Sequence, residues 1–65
     1  MWILYAGHLF NTNDVSYVRY YVVSKLWWVD IHFKDKNYTN IGIPCDTEDE
    51  AIKEMEKLQK QFNGN

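Results

Sequence analysis

From Val15 to Phe33 the chain is dense in Val, Ile, Tyr, Trp and Phe, side chains that pack well on a pleated surface. This stretch commits the molecule to a sheet. A single strand of that length is unusual, so a break is expected at Ser24-Lys25, although neither Gly nor Pro marks it; a bulged, continuous strand is the alternative. Residues 26–33 alternate, with Trp27, Val29, Ile31 and Phe33 on one side and Trp28, Asp30 and His32 on the other. Arg19 marks the outward side of the preceding segment. Tyr17, Arg19 and Tyr21 are therefore expected outside, and Val18, Tyr20 and Val22 inside.

The flanking segments complete the fold. Residues 2–10 read as a first strand, apolar enough on both faces to be buried on both sides. Asn11-Thr12-Asn13-Asp14 is a cluster of turn formers. Lys34 to Asn37 reads as a charged hairpin loop between Phe33 and Tyr38. The next strand is expected over residues 38–43, with Ile41 and Ile43 inward and Tyr38 and Asn40 outward. Pro44 should end it, because proline cannot donate to a ladder. Thr47, with Glu50 three residues on, is a helix-capping pair, and Asp46, Glu48 and Asp49 put negative charge at the helix's positive end. Ala51, Ile52, Met55, Leu58 and Phe62 form one apolar stripe, and Asn63-Gly64 supplies the stop. The expectation is a single α+β domain over residues 1–65. It has an antiparallel three- or four-stranded sheet (strands 2–10, 16–23, 26–33 and 38–43) followed by one C-terminal amphipathic helix, 48–62, packed on one face.

A chain of 65 residues has little core to spend on ordering itself. Cys45 is its one cysteine, which removes disulfides, and His8, His32 and Cys45 lack the spacing of a zinc site. Apolar burial must hold the fold, and a composition 46% hydrophobic and 17% aromatic suits that. No secretory leader pattern or membrane-length apolar run is visible, so a cytoplasmic protein is expected, in the host cell's cytoplasm if phage-encoded. Charge divides unevenly. Arg19, Lys25, Lys34 and Lys36 against Asp14, Asp30 and Asp35 leave residues 1–45 at +1, while residues 46–65 carry six acids against three lysines.

No Gly-rich phosphate loop, nucleophile elbow or HExxH motif is present. His8 and His32 have no evident catalytic partner. Cys45 lies near the helix start, where a thiol pKa can fall, but a small, partly buried side chain is the preferred reading. No enzyme, cofactor, metal or small-molecule substrate is expected. Two surfaces remain. Tyr17, Arg19, Tyr21, Trp28, His32 and Tyr38 are expected on the side of the sheet away from the helix, and Tyr, Trp and Arg dominate binding hot spots and stack on bases. Small sheets also expose tyrosines merely to cover backbone. The second surface is an acidic ridge of Asp46, Glu48, Asp49, Glu50 and Glu54, which helix capping and solubility explain without function.

Gly42, Thr47, Glu50 and Ala51, following Trp28, Asp30 and the loop at residues 34–37, resemble the strand–turn–strand–helix pattern of AP2-like, arm-type DNA-binding domains of phage integrases. The resemblance spans residues 27–62. It implies a three-stranded sheet laid in the DNA major groove, with Arg19, Lys25, Trp28, Lys34 and Lys36 as contacts. The near-neutral strand half instead places a protein target ahead of nucleic acid. The expected function is a small non-enzymatic protein-binding module, of the kind a phage or mobile element uses to inhibit or regulate a host protein, with AP2-like DNA binding as the alternative. A homodimer formed by burying two outer faces is a third reading, and no membrane partner is expected.

Overall fold

The computed structural model describes residues 1–64. Five strands and one helix follow in order: β1 (Trp2–Tyr5), β2 (His8–Asn11), β3 (Val15–Val23), β4 (Leu26–Phe33), β5 (Ile41–Cys45) and α1 (Glu48–Phe62), with a 3-10 turn at Thr12–Asp14. They form two antiparallel sheets, the hairpin β1-β2 and a three-stranded sheet in the order β3-β4-β5. The helix packs against the larger sheet, so the class is α+β.

β4 is the centre of the fold because it pairs on both sides. Tyr20, Val29 and Ile43 lie in one cross-strand row, and Val18, Ile31 and, across β5, Ile41 lie in the next. Directly opposed residues share a face, so the alternation of β4 propagates across the sheet. Val29 and Ile31 are completely buried on the inner face, where they meet Ala51 and Leu58 of α1. Thr47 caps the helix as its sequence requires: its hydroxyl accepts from the Glu50 N–H at 3.2 Å, and the Glu50 carboxylate accepts from the Asp46 N–H at 2.9 Å.

Three expectations need correction. Residues 2–10 are two strands, not one, because Ala6 and Gly7 take φ of 52° and 79° and turn the chain back on itself. Such left-handed pairs make the tight hairpin turn whose twist matches its strands. Side-chain parity resets across the turn, placing Ile3, Tyr5 and Phe10 on the buried side. That reset is why the segment looked apolar on both faces. The hairpin does not extend the larger sheet either; it packs beside α1 on the inner face, with Phe10 edge-on to Phe33 at 5.5 Å. The last strand runs Ile41–Cys45, not 38–43, and Pro44 lies inside it. β5 is an edge strand, and there a proline can turn its nitrogen away from the partner.

The break at Ser24-Lys25 is a tight turn between two separate strands, with φ of 52° and 69° on residues that carry side chains. Each such residue costs on the order of 1–2 kcal/mol relative to an unstrained turn. Replacing Ser24 and Lys25 by Asn and Gly should therefore raise stability by about 1 kcal/mol in denaturant titration. An unchanged or lowered stability would contradict the left-handed turn.

Candidate binding face

Both covering elements, α1 and the hairpin, lie on the inner side of the three-stranded sheet. Among the described residues the outer side is left to its own side chains. Register brings Tyr17 opposite His32, Arg19 opposite Asp30 and Tyr21 opposite Trp28. The Tyr17 and His32 rings stack at 4.3 Å and 11°. The Tyr21 hydroxyl donates to Asp30 Oδ2 at 2.8 Å, and the Arg19 guanidinium lies 4.8 Å above the Tyr21 ring. Trp28 lies across β5 at Gly42, where an added Cβ would come within 3.5 Å of the indole and 3.2 Å of Asp30 Oδ1. Glycine there lets the ring lie close to the backbone.

This arrangement shields its polar centre. The Asp30 and His32 side chains keep only 13% and 15% of their exposure, although no strand or helix among the described residues covers them. His32 Nε2 is 3.7 Å from Asp30 Oδ2, too long for a hydrogen bond, and has no other partner among the described residues. The hydrogen bond to Asp30 pushes the Tyr21 phenol above its ordinary pKa, with burial and the Asp30 charge adding and Arg19 opposing. Asp30 thus anchors the face. Alternation along β4 puts Asp30 on this side, although it is not among the six expected face residues.

Of the six expected face residues, Tyr17, Arg19, Tyr21, Trp28 and His32 come together. Tyr38 does not. It sits before β5, and its ring meets Phe33 edge-on at 5.9 Å, on the inner side of the sheet. The loop at residues 34–40 is longer than a hairpin turn, so strand parity does not carry through it. A surface the sequence did not reveal is the outer side of the hairpin, where Trp2, Leu4 and Leu9 are each about two-thirds exposed.

The acidic ridge is divided by its local duties. Glu50 is occupied in the cap. Glu54 accepts from the hydroxyl of Tyr5, tying α1 to the hairpin, and from Lys57 at 3.2 Å. The Tyr5 hydroxyl holds the Glu54 carboxyl below its usual range; burial opposes this and Lys57 assists. Burial first, then the Glu54 bond and charge, pushes the Tyr5 phenol above its ordinary pKa. Asp46, Glu48 and Asp49 remain exposed at the helix entry. Cys45 is buried, and burial followed by the charges of Glu54, Glu50 and Asp46 raises its thiol pKa.

Among the described residues no helix is long and apolar enough to cross a membrane. Comparison with protein-family models, curated proteins and solved structures returns no match for the chain.

Two measurements test this geometry. Asp30→Asn should lower the Tyr21 pKa toward the ordinary tyrosine range in an NMR pH titration; an unmoved value would place the phenol away from residue 30. Tyr5→Phe should cost about 1 kcal/mol near pH 7 and raise the Glu54 pKa. A depressed carboxyl pKa stabilises above the unfolded value and ceases to do so as pH falls through the folded one. A raised phenol pKa stabilises below the unfolded value and ceases to as pH rises through the folded one. The deficit of Tyr5→Phe should therefore shrink in acid, below the Glu54 titration, and a pH-independent deficit would rule out the tie.

Proposed function

We propose that this chain is a small, non-enzymatic protein-binding module acting in the cytoplasm, as a phage or mobile-element inhibitor or regulator of a host protein would, and that it recognises its target with the outer sheet face. The observation that carries this reading is the cluster of Tyr17, Arg19, Tyr21, Trp28 and His32 around Asp30, on a face with no covering element among the described residues. Tyr, Trp and Arg supply most hot-spot energy in protein interfaces. Rings already held by stacking and hydrogen bonding lose little further freedom on binding. The acidic helix entry, Asp46, Glu48 and Asp49, is a second charged feature for such a target to read.

Duplex DNA is the second reading, because a three-stranded antiparallel sheet backed by one helix is the architecture that the AP2-like resemblance calls for. Charge favours the first. A carboxylate stands at the middle of the face, and Arg19 is the one cation among its described strand residues, whereas duplex binding rests on several phosphate contacts.

Tyr17→Ala with Arg19→Ala changes exposed side chains and should leave stability within about 1 kcal/mol. A target captured by the parent protein and by Lys53→Ala should be lost from this double variant. Capture that survives the double variant but fails in Trp2→Ala with Leu4→Ala would move recognition to the hairpin. The absence of any face-dependent protein target, with steeply salt-dependent duplex binding, would favour DNA instead.

A further inference from the structure

The larger sheet has two edges, and the molecule treats them differently. β5 is five residues long and carries Gly42 and Pro44, both unfavourable to another strand. β3 runs nine residues, Val-Ser-Tyr-Val-Arg-Tyr-Tyr-Val-Val, with neither Gly nor Pro and one charge. Its far edge meets no strand among the described residues. The tight turn at Ser24-Lys25 makes Val23 and Leu26 the closing hydrogen-bonded pair. Alternation along the ladder then turns the N–H and C=O of Val22, Tyr20 and Val18 away from β4, toward solvent. An edge this long, regular and apolar is a template for a further strand.

We infer that β3 pairs antiparallel with β3 of a second copy of this chain, joining two sheets into one of six strands. The self-complementarity of the strand identifies the occupant. Facing hydrogen-bonded pairs must come from Val18, Tyr20 and Val22, which leaves only a few registers. Centring on Arg19 sets two guanidinium groups directly opposite, which is unfavourable. Centring on Tyr20 uses the whole regular run from Tyr17 to Val23, beyond the irregularity between Val15 and Tyr17. In that register Val18 faces the partner's Val22, and Arg19 faces the partner's Tyr21. About six main-chain hydrogen bonds form, and each cation meets a ring instead of its own like.

The inner side of this edge supports the same occupant. Val18 and Tyr20 form an open groove of about 570 Å³ with Ile52, Met55, Leu58 and Phe62, and Tyr20 and Val22 remain 37% and 49% exposed. The twofold axis stands perpendicular to the joined sheet. It sets the groove of one copy beside that of the other and puts both helices on one side. Both outer faces then share the opposite side. The pairing does not rest on the function proposed for that face.

Sedimentation over a concentration series provides the test. The parent protein should run as two chains. Val22→Lys, which places an ammonium on the edge, should run as one with an unchanged circular dichroism spectrum. Tyr20→Pro removes an outward-facing N–H, as Pro44 does in β5, and should also run as one chain. In a Cys45→Ser background, Tyr20→Cys should oxidise to a covalent dimer, because facing Cα atoms across a hydrogen-bonded pair lie about 5.5 Å apart, whereas Arg19→Cys should not. A parent protein that stays a single chain up to about millimolar concentration would overturn the inference. So would a dimer that persists in folded Val22→Lys, or one abolished by Tyr17→Ala but not by Val22→Lys, which would mark face-to-face packing. If Tyr20→Pro does not fold, Val22→Lys decides.

Discussion

The pairing of β4 with strands on both sides is the constraint from which the rest follows. Its inward residues Val29 and Ile31 are the most deeply buried of the sheet, and they meet Ala51 and Leu58. Because facing residues share a side, burying this one pair decides the orientation of every residue registered against it in β3 and β5. A slip of one residue would exchange Val29 and Ile31 for Asp30 and His32 beneath the helix. In so small a domain, burying two ionisable side chains without partners would cost as much as the whole fold has to spare. The register is thus set by a large penalty as well as by a gain.

What could be read from the sequence follows that division. Strict alternation in β4 gave its two faces, and the Thr47–Glu50 cap with the Ala51–Phe62 stripe gave a helix whose ends match the structure. Both are local signals that tertiary packing reinforces. The misread segments are those where backbone conformation, and not side-chain pattern, carries the information. Ala6-Gly7 turns the chain by left-handed φ, with Gly7 the one residue suited to it, and a lone glycine in an apolar run is easily taken for part of a strand. Pro44 looked like a terminator because the position of β5 at an edge depends on strand order, which is a property of the whole sheet. Tyr38 lost its assigned side because parity does not extend through seven loop residues. The outer sheet face was legible residue by residue for Tyr17, Arg19, Tyr21, Trp28 and His32. The role of Asp30 was not, because it arises from cross-strand neighbours and not from spacing along the chain.

Tyr5 and Glu54 show how the N-terminal hairpin is made part of the domain. A two-stranded hairpin is marginal by itself, and this one buries Ile3, Tyr5 and Phe10 against the inner side of the larger sheet. The hydrogen bond from Tyr5 to Glu54 adds a directional tie to α1. One carboxylate is thereby drawn out of the acidic cluster into a structural role, and Glu50 is likewise taken by the cap. The charge at the helix entry that is left without such a duty comes from the exposed Asp46, Glu48 and Asp49.

The outer face is not what stability alone would select. Asp30 and His32 are largely withdrawn from water among rings, with an imidazole nitrogen left without a partner among the described residues. Replacing such groups by apolar side chains of similar volume is often neutral or stabilising. Apolar replacements would also be compatible with β-sheet structure at these positions. The inner face has already met the requirement for a core, so packing gives no reason for a carboxylate, a guanidinium and stacked rings at the centre of the uncovered side. The covering side chains reduce the exposure of the polar centre while leaving Tyr17 half exposed, and Arg19 remains at the surface. An aromatic rim held by stacking and hydrogen bonding around a polar centre matches the composition of surfaces that bind other proteins. That match is the physical reason for proposing recognition at this side of the sheet.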